Sequence, residues 1–243
     1  MRLDKFLADA GIGTRSEVKK IISKGRVTVN DACIRDGGVR VDGAADRICI
    51  DGEPVAASGL EYYMLNKPAG IVSAARVNSL KRGETVPEGE ERYAVDLIRT
   101  SVRTDLFPAG RLDKDTEGFL LITNDGALAH RLLSPRFHVK KTYSALLSDR
   151  IGDAELDELE QGVDIGDDTP TLPCKTAREE GNGIRITITE GRYHQIKRMF
   201  ARYGLEVLKL KRLTFGPLRL DERLAPGEYR ELTEDEILAL KNV

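Results

Sequence analysis

The side chains of this chain that invite a chemical role by type and spacing stand in one short stretch, "GRLDKDTEGFLLITNDG", residues 110–126. Asp113 and Asp115 flank Lys114 on a glycine-punctuated turn that runs into an apolar segment, residues 119–122. Three chemistries compete for such a turn. The acids can simply cap backbone amides in a solvated turn. Asp113, Asp115 and Asp125 can act as a divalent-cation cluster, since D-x-D resembles the start of a calcium loop. That reading fits poorly, because Thr-Glu-Gly follows where the loop needs a third oxygen ligand and a glycine in another register. Or Asp113 is a lone catalytic carboxylate on a rigid turn at the end of a strand. It would then need a cation to keep it ionised in a cleft, and Arg111, Lys197 and Arg198 are the candidates. Residue types alone leave all three open.

The elements that must position these groups are legible from periodicity. Leu3, Phe6, Leu7 and Ala10 have the i, i+3, i+4, i+7 spacing of a short amphipathic helix ended by Gly11. Thr14 and Glu17 form a capping-box pair that opens a second helix, which Gly25 can close. Its polar face carries Arg15, Lys19 and Lys20. Val27 and Val29 alternate as a short strand, and "RICI" reads as another. These elements make a compact module over residues 1–58, joined by the linker-like "PVAASG", residues 54–59, to a second domain over 59–243. There "EYYMLN" predicts a strand, residues 74–92 a long polar surface loop, and "FLLIT" a central strand. A turn at "NDG" leads into the helix "ALAHRLL". Ile184, Ile186 and Ile188 alternate as a half-buried strand. "RYHQIKRMFARYG" places Ile196, Met199, Phe200 and Tyr203 on one helical face, "EVLKLKRLTFG" returns to strand, and Thr233 with Glu236 caps a closing helix. Strands outnumber helices and follow one another directly, so the class is α+β with a mostly antiparallel sheet.

Bulk properties narrow the function. The 243 residues suffice for a small plus a medium domain, and 40% hydrophobic content supports a buried core. The N-terminus lacks the apolar centre of a signal peptide, and no apolar run approaches the roughly 18 residues of a membrane span. Cys33, Cys49 and Cys174 share no CxxC spacing, so three small core residues in a reducing cytoplasm are expected, with neither disulfide nor zinc. Net charge is −2, yet the charges are segregated. Residues 131–143 hold four bases and no acid, and 191–219 hold eight bases against one acid, whereas 152–180 hold ten acids against two bases. Such segregation can give one face a positive field suited to nucleic acid.

The wording of the blocks goes further than composition. "GRLDKDTEGFLLITNDG", "YYMLNKPAGIVS", "SPRFHVKKTY", "EGRYHQIKRMF" and "LAPGEYRELTEDEI" resemble, in kind, the blocks of the bacterial pseudouridine synthases that act on ribosomal RNA. The N-terminal module resembles the small alpha-L RNA-binding fold of a small-subunit ribosomal protein. Within the family, "GRYHQIKRMF" is similar to the branch that acts on the small subunit; large-subunit relatives tend to carry Asn-Arg in place of Tyr193-His194.

The resemblance implies that Asp113 is the catalytic aspartate, that Tyr143 stacks on the target base, and that Lys197 pairs with the aspartate. It makes Ile196 an apolar packing position. Arg111, Arg192, His194 and Arg198 are expected to contact substrate RNA near the site, and Arg15, Lys19 and Lys20 to contact it from the module. The implied reaction isomerises uridine to pseudouridine without redox change or group transfer, so no cofactor or metal is expected. The implied partner is small-subunit ribosomal RNA, free or in an assembling particle, and the protein is expected to be a cytoplasmic monomer without membrane contact. Three alternatives stand: the same reaction on large-subunit RNA, a non-catalytic assembly factor that kept the fold, and, more weakly supported, a metal-dependent nuclease using Asp113 and Asp115.

Overall fold

A computed structural model describes residues 1–13, 15–43, 45–55, 59–74, 91–99 and 105–243. Thr14, three linker residues and nearly all of the expected 74–92 loop lie outside the described residues.

The N-terminal part packs α1 (Leu3–Asp9) and α2 (Arg15–Ser23) on a four-stranded antiparallel sheet. Its strands are β1 (Val27–Val29), β2 (Ala32–Ile34), β3 (Ile48–Ile50) and β4 (Glu53–Pro54), in the order β2-β1-β3-β4. Leu3, Phe6 and Leu7 from α1 meet Val18 and Ile22 from α2 over Val27 and Ile48, a closed core of its own. Burying that stripe leaves the opposite face of α2 to solvent, where Arg15, Lys19 and Lys20 are all exposed. One expectation fails here. Cys33 is exposed rather than in the core, because β2 is an edge strand with one face outward, whereas Cys49 and Cys174 are buried.

The larger part is a nine-stranded sheet built from β5 (Tyr62–Lys67), β6 (Phe107–Pro108), β7 (Glu117–Thr123), β8 (Lys141–Leu147), β9 (Lys175–Arg178), β10 (Gly183–Ile188), β11 (Val207–Phe215), β12 (Leu218–Arg219) and β13 (Tyr229–Glu231). The main path runs β13-β5-β7-β11-β8-β10-β9, with β6 on β7 and β12 on β11. Every pairing is antiparallel except β7 with β11. Alternate residues of β7 enter two cores: Leu120 and Ile122 on one face, Phe119 and Leu121 on the other. Burial on both faces explains why "FLLI" reads as a continuous apolar run. The first core is covered by α4 (Asp153–Gln161) and α5 (Gln195–Ala201), the second by α3 (Gly126–Leu133) and α6 (Glu234–Lys241). The capping box on α6 is present, with Glu236 N–H donating to Thr233 Oγ1 at 3.3 Å and Thr233 N–H donating to Glu236 Oε2 at 2.9 Å.

Two local backbone features escape a reading by periodicity. α5 begins only at Gln195, because His194 takes a left-handed backbone conformation at φ 48° and turns the chain before the helix starts. The β7–β11 contact depends on Gly118, at φ +101°, where a Cβ would lie 2.3 Å from the Arg212 carbonyl oxygen. Only glycine lets the two backbones approach this closely.

Candidate active site

The turn that carries Asp113 is held from beneath by a lysine. Lys67, at the end of β5, is fully buried, and its Nζ donates to the carbonyls of Pro68 at 3.0 Å, Lys114 at 3.1 Å and Thr116 at 2.8 Å. The Thr116 N–H donates back to the Asp113 carbonyl at 3.0 Å, and Gly70 N–H to the Lys114 carbonyl at 2.7 Å. Burial lowers the Lys67 pKa to about 8, against the opposing pull of Asp115, Asp113 and Glu117. A cation from the neighbouring strand thus fixes the turn's backbone from below, while the turn's own Lys114 is exposed and pairs with Glu91 at 3.1 Å.

Asp113 is about a third exposed and lines a cavity of about 740 Å³. Two nitrogens approach its carboxylate from the α5 end, the imidazole Nε2 of His194 at 3.6 Å from Oδ1 and the ammonium of Lys197 at 3.6 Å from Oδ2. Both distances are too long for hydrogen bonds, and the lysine stands at ion-pair distance. Lys197 instead donates to Asp115, at 2.6 Å from Oδ1 and 2.7 Å from Oδ2. That bond holds the Asp115 carboxyl below the usual carboxylate range. Sequence reasoning paired Lys197 with Asp113 alone; the lysine spans both acids, because α5 delivers it between residues two apart on one turn.

Behind Asp113 the cavity wall is Tyr143 of β8, buried at 7% exposure, with Ile188, Ile196 and Leu210 beside it. Ile196 is 4% exposed and belongs to the larger core. Arg111 is exposed on the same cavity. Tyr193, 76% exposed, stacks on His194 with ring centroids 3.9 Å apart and planes at 17°. Deeper in, Lys141 and Arg212 line the same space.

The remaining bases near α5 have structural partners. Arg192 also lines the cavity, but its guanidinium bonds Glu190 at 2.9 Å and the Pro170 carbonyl at 2.7 Å. Arg198 points to Asp167, at 2.6 Å, and to the Ile165 carbonyl, and is not part of the cavity wall. Asp125, a metal-ligand candidate by its spacing, caps α3 by accepting from Leu128 N–H at 2.9 Å and accepts from the Tyr62 hydroxyl at 2.8 Å. Of the residues expected at the site, the structure brings Asp113, Tyr143, Lys197, His194, Arg111, Arg192 and Ile196 to one cavity and leaves Arg198 outside its wall. Sequence reasoning missed Asp115 as the partner of Lys197, and it missed Lys67, Lys141 and Arg212. A lysine or arginine inside a strand pattern was the available signal, since such side chains are almost never fully buried without a reason.

Known proteins resemble this chain over its whole length. The RNA pseudouridylate synthase family matches residues 61–202, and the S4 domain family matches residues 1–48. YtzG of Bacillus subtilis, described as an uncharacterised RNA pseudouridine synthase, is 46% identical over 98% of this chain and 97% of its own length. Ribosomal small subunit pseudouridine synthase A is 40% identical in Vibrio vulnificus, covering 98% of both chains. The Escherichia coli protein of that name is 37% identical, covering 99% of this chain and all of its own. A solved structure described as a pseudouridylate synthase superposes with a TM-score of 0.68 at 36% identity, over 99% of each chain. With a cavity carboxylate beside a lysine and an S4 domain preceding it in the chain, this protein belongs to the RNA pseudouridylate synthase family and is an RNA-modifying isomerase.

Proposed function

We propose that the protein converts one uridine of small-subunit ribosomal RNA to pseudouridine, with Asp113 as its catalytic carboxylate. The observation that carries this is the setting of Asp113: a cavity wall shared with a buried tyrosine, with the Lys197 ammonium and the His194 imidazole each 3.6 Å from one of its oxygens. The small-subunit target is supported by full-length similarity to proteins named for it.

In this reading the target nucleotide leaves its stack, at a cost of a few kcal/mol, and enters the cavity, where stacking on Tyr143 returns about 1–3 kcal/mol. Asp113 acts on the ribose, as nucleophile at C1′ or as base at C2′. Lys197 and His194, on either side of the carboxylate, orient it. Either route breaks the bond from N1 to C1′ with its electron pair leaving on uracil. The ring turns, C5 bonds to C1′, the C5 proton is lost and N1 gains one, so the isomer keeps its formula.

Arg111 and His194 sit where they meet RNA at the cavity mouth, and Arg192 and Arg198 brace the loops beside it. Arg15, Lys19 and Lys20 supply phosphate contacts from a module of residues 1–58, and residues 59–243 form the catalytic domain. No described helix is long and apolar enough to cross a membrane. The protein acts as a monomer in the cytoplasm.

The test is to incubate the purified chain and Asp113→Asn with unmodified small-subunit and large-subunit RNA, free and in partly assembled particles. Pseudouridine is then mapped by carbodiimide-blocked primer extension. One new stop on small-subunit RNA, absent with the variant, is expected. A stop only on large-subunit RNA would overturn the target, and a stop that persists with the variant would overturn the role of Asp113.

A further inference from the structure

The candidate cavity has a floor that the proposed roles of Asp113, Lys197 and Tyr143 leave unused. Lys141 and Arg212 are 7% and 2% exposed, yet both line the cavity. Lys141 lies two residues before Tyr143 on β8 and so shares its face, while Arg212 of β11 is the cross-strand partner of Tyr143. Both cations lean on one aromatic ring: Lys141 Nζ is 5.9 Å and Arg212 Cζ 5.0 Å from the centre of Phe215. Among the described residues each side chain makes a single hydrogen bond, Lys141 to the Val139 carbonyl at 3.1 Å and Arg212 Nε to the Phe119 carbonyl at 2.7 Å. Arg212 Nη2 is buried with no hydrogen-bond partner among them.

Neither has a carboxylate at ion-pair distance among the described residues. Glu190, whose charge reaches Lys141, is itself bonded by Leu172 N–H, Gln195 and Arg192. Burial lowers the Lys141 pKa to about 8, and the neighbouring guanidinium adds to the shift. Two adjacent buried cations without counter-ions are costly for a fold, and the expense makes sense when negative charge arrives from outside.

We propose that Lys141 and Arg212 face the uracil ring of the target nucleotide and take up the negative charge it carries when the bond from N1 to C1′ breaks, a contact that strengthens only as that charge develops. This rests on the reading of the cavity as a uridine site. A base stacked on Tyr143 lies over the strand face that Lys141 and Arg212 share with it, which puts its carbonyl edge beside them. The electron pair released to N1 spreads over O2 and O4, and fixed donors in a water-poor floor stabilise it without reorganisation. The phosphates stay at the mouth with the exposed Arg111, so the deep pair addresses the base and not the backbone. As C5 bonds to C1′ and a proton returns to N1, the charge disappears and the ring is released neutral.

The test uses the full chain with Lys141→Met and Arg212→Met, on substrate RNA carrying uridine or 5-fluorouridine at the target. 5-Fluorouracil is the better leaving anion. Single-turnover rates of N1–C1′ bond cleavage at saturating RNA, RNA affinity and melting temperature are measured for each; cleavage is read because 5-fluorouridine has no C5 proton to lose and cannot complete the isomerisation. The expected result is an unchanged Kd, a melting temperature at or above that of the wild type, a loss of about 100-fold on uridine and a loss below about 10-fold on 5-fluorouridine. Equal losses on both substrates would overturn the leaving-group role. A weakened Kd with the rate intact would mean a phosphate contact, and a large fall in melting temperature would mean a structural pair; either overturns the proposal. A wild type that converts uridine in no RNA would instead fail the reading on which the proposal rests.

Discussion

Lys197 hydrogen-bonds Asp115 at 2.6 Å while standing 3.6 Å from Asp113, so the cation next to the candidate catalytic carboxylate is tethered to a different acid. The tether is solvent-facing, since the Asp115 side chain is 71% exposed. It fixes where the ammonium sits without burying a second charge in the cavity.

A lysine that positions charge and carries little stability should separate activity from folding. Lys197→Met is expected to lower the single-turnover rate roughly 10- to 100-fold. Its stability should change by under about 1 kcal/mol, as for other exposed pairs. Lys197→Arg should recover part of the rate. Single-turnover kinetics beside a urea titration decides it; a stability loss as large as the rate loss would make Lys197 a structural residue.

Lys67 should behave in the opposite way. Three carbonyls converge on its one buried ammonium, so Lys67→Met leaves those acceptors unmatched and is expected to cost roughly 2–4 kcal/mol. The urea midpoint should fall without a change in slope, and the rate should fall with it as the Asp113 turn loosens. An unchanged midpoint would show that the turn holds without the lysine.

Acid sensitivity should arise far from the cavity. Asp221 accepts from Arg223 and Arg230, and Glu236 from Arg230, bonds that hold both carboxyls below their ordinary range. Depressed folded values mean that the unfolded chain takes up protons first. This stabilisation is complete above the unfolded values, near pH 4, and is lost as pH falls from there through the lower folded ones. Asp221→Asn should flatten the fall in melting temperature between about pH 5 and about pH 3, to be followed by circular dichroism. A slope identical to wild type would exclude the cluster as its source.

The N-terminal core closes among residues 3–55, apart from the two cores of the large sheet. A chain of residues 59–243 is therefore expected to keep its cooperative melt while binding ribosomal RNA at least about tenfold more weakly, with a shallower salt dependence. Filter binding across a salt series measures both. An identical isotherm would remove the module from RNA recognition.

Much of the fold was legible in the sequence because it follows from local pattern. The period-two isoleucines of β10, the doubly buried run of β7 and the cap on α6 need no tertiary information. α4 escaped notice because its apolar residues Leu156 and Leu159 are few and its surface is acidic, so the stretch registered only as a run of acids. The short strands β9 and β13 exist only because neighbours offer them hydrogen bonds. At the site, motif resemblance marked Asp113, Tyr143 and Lys197, which stand at the cavity. It was silent on Lys67, Lys141 and Arg212, whose significance is burial, and a linear pattern of charged residues reads as exposure. Asp115 was visible as a charge and invisible as a partner, because its distance to Lys197 is set by the meeting of α5 with a turn 82 residues earlier.

That span of 82 residues also orders events in time. The N-terminal module draws its contacts from within its first few dozen residues and can close as soon as they have emerged from the ribosome. The turn bearing Asp113 must wait for α5, and its companion strand β11 comes later still. A nascent chain halted just short of α5 would own a finished front module and an aspartate without its cation. Competence to meet RNA precedes competence to alter it.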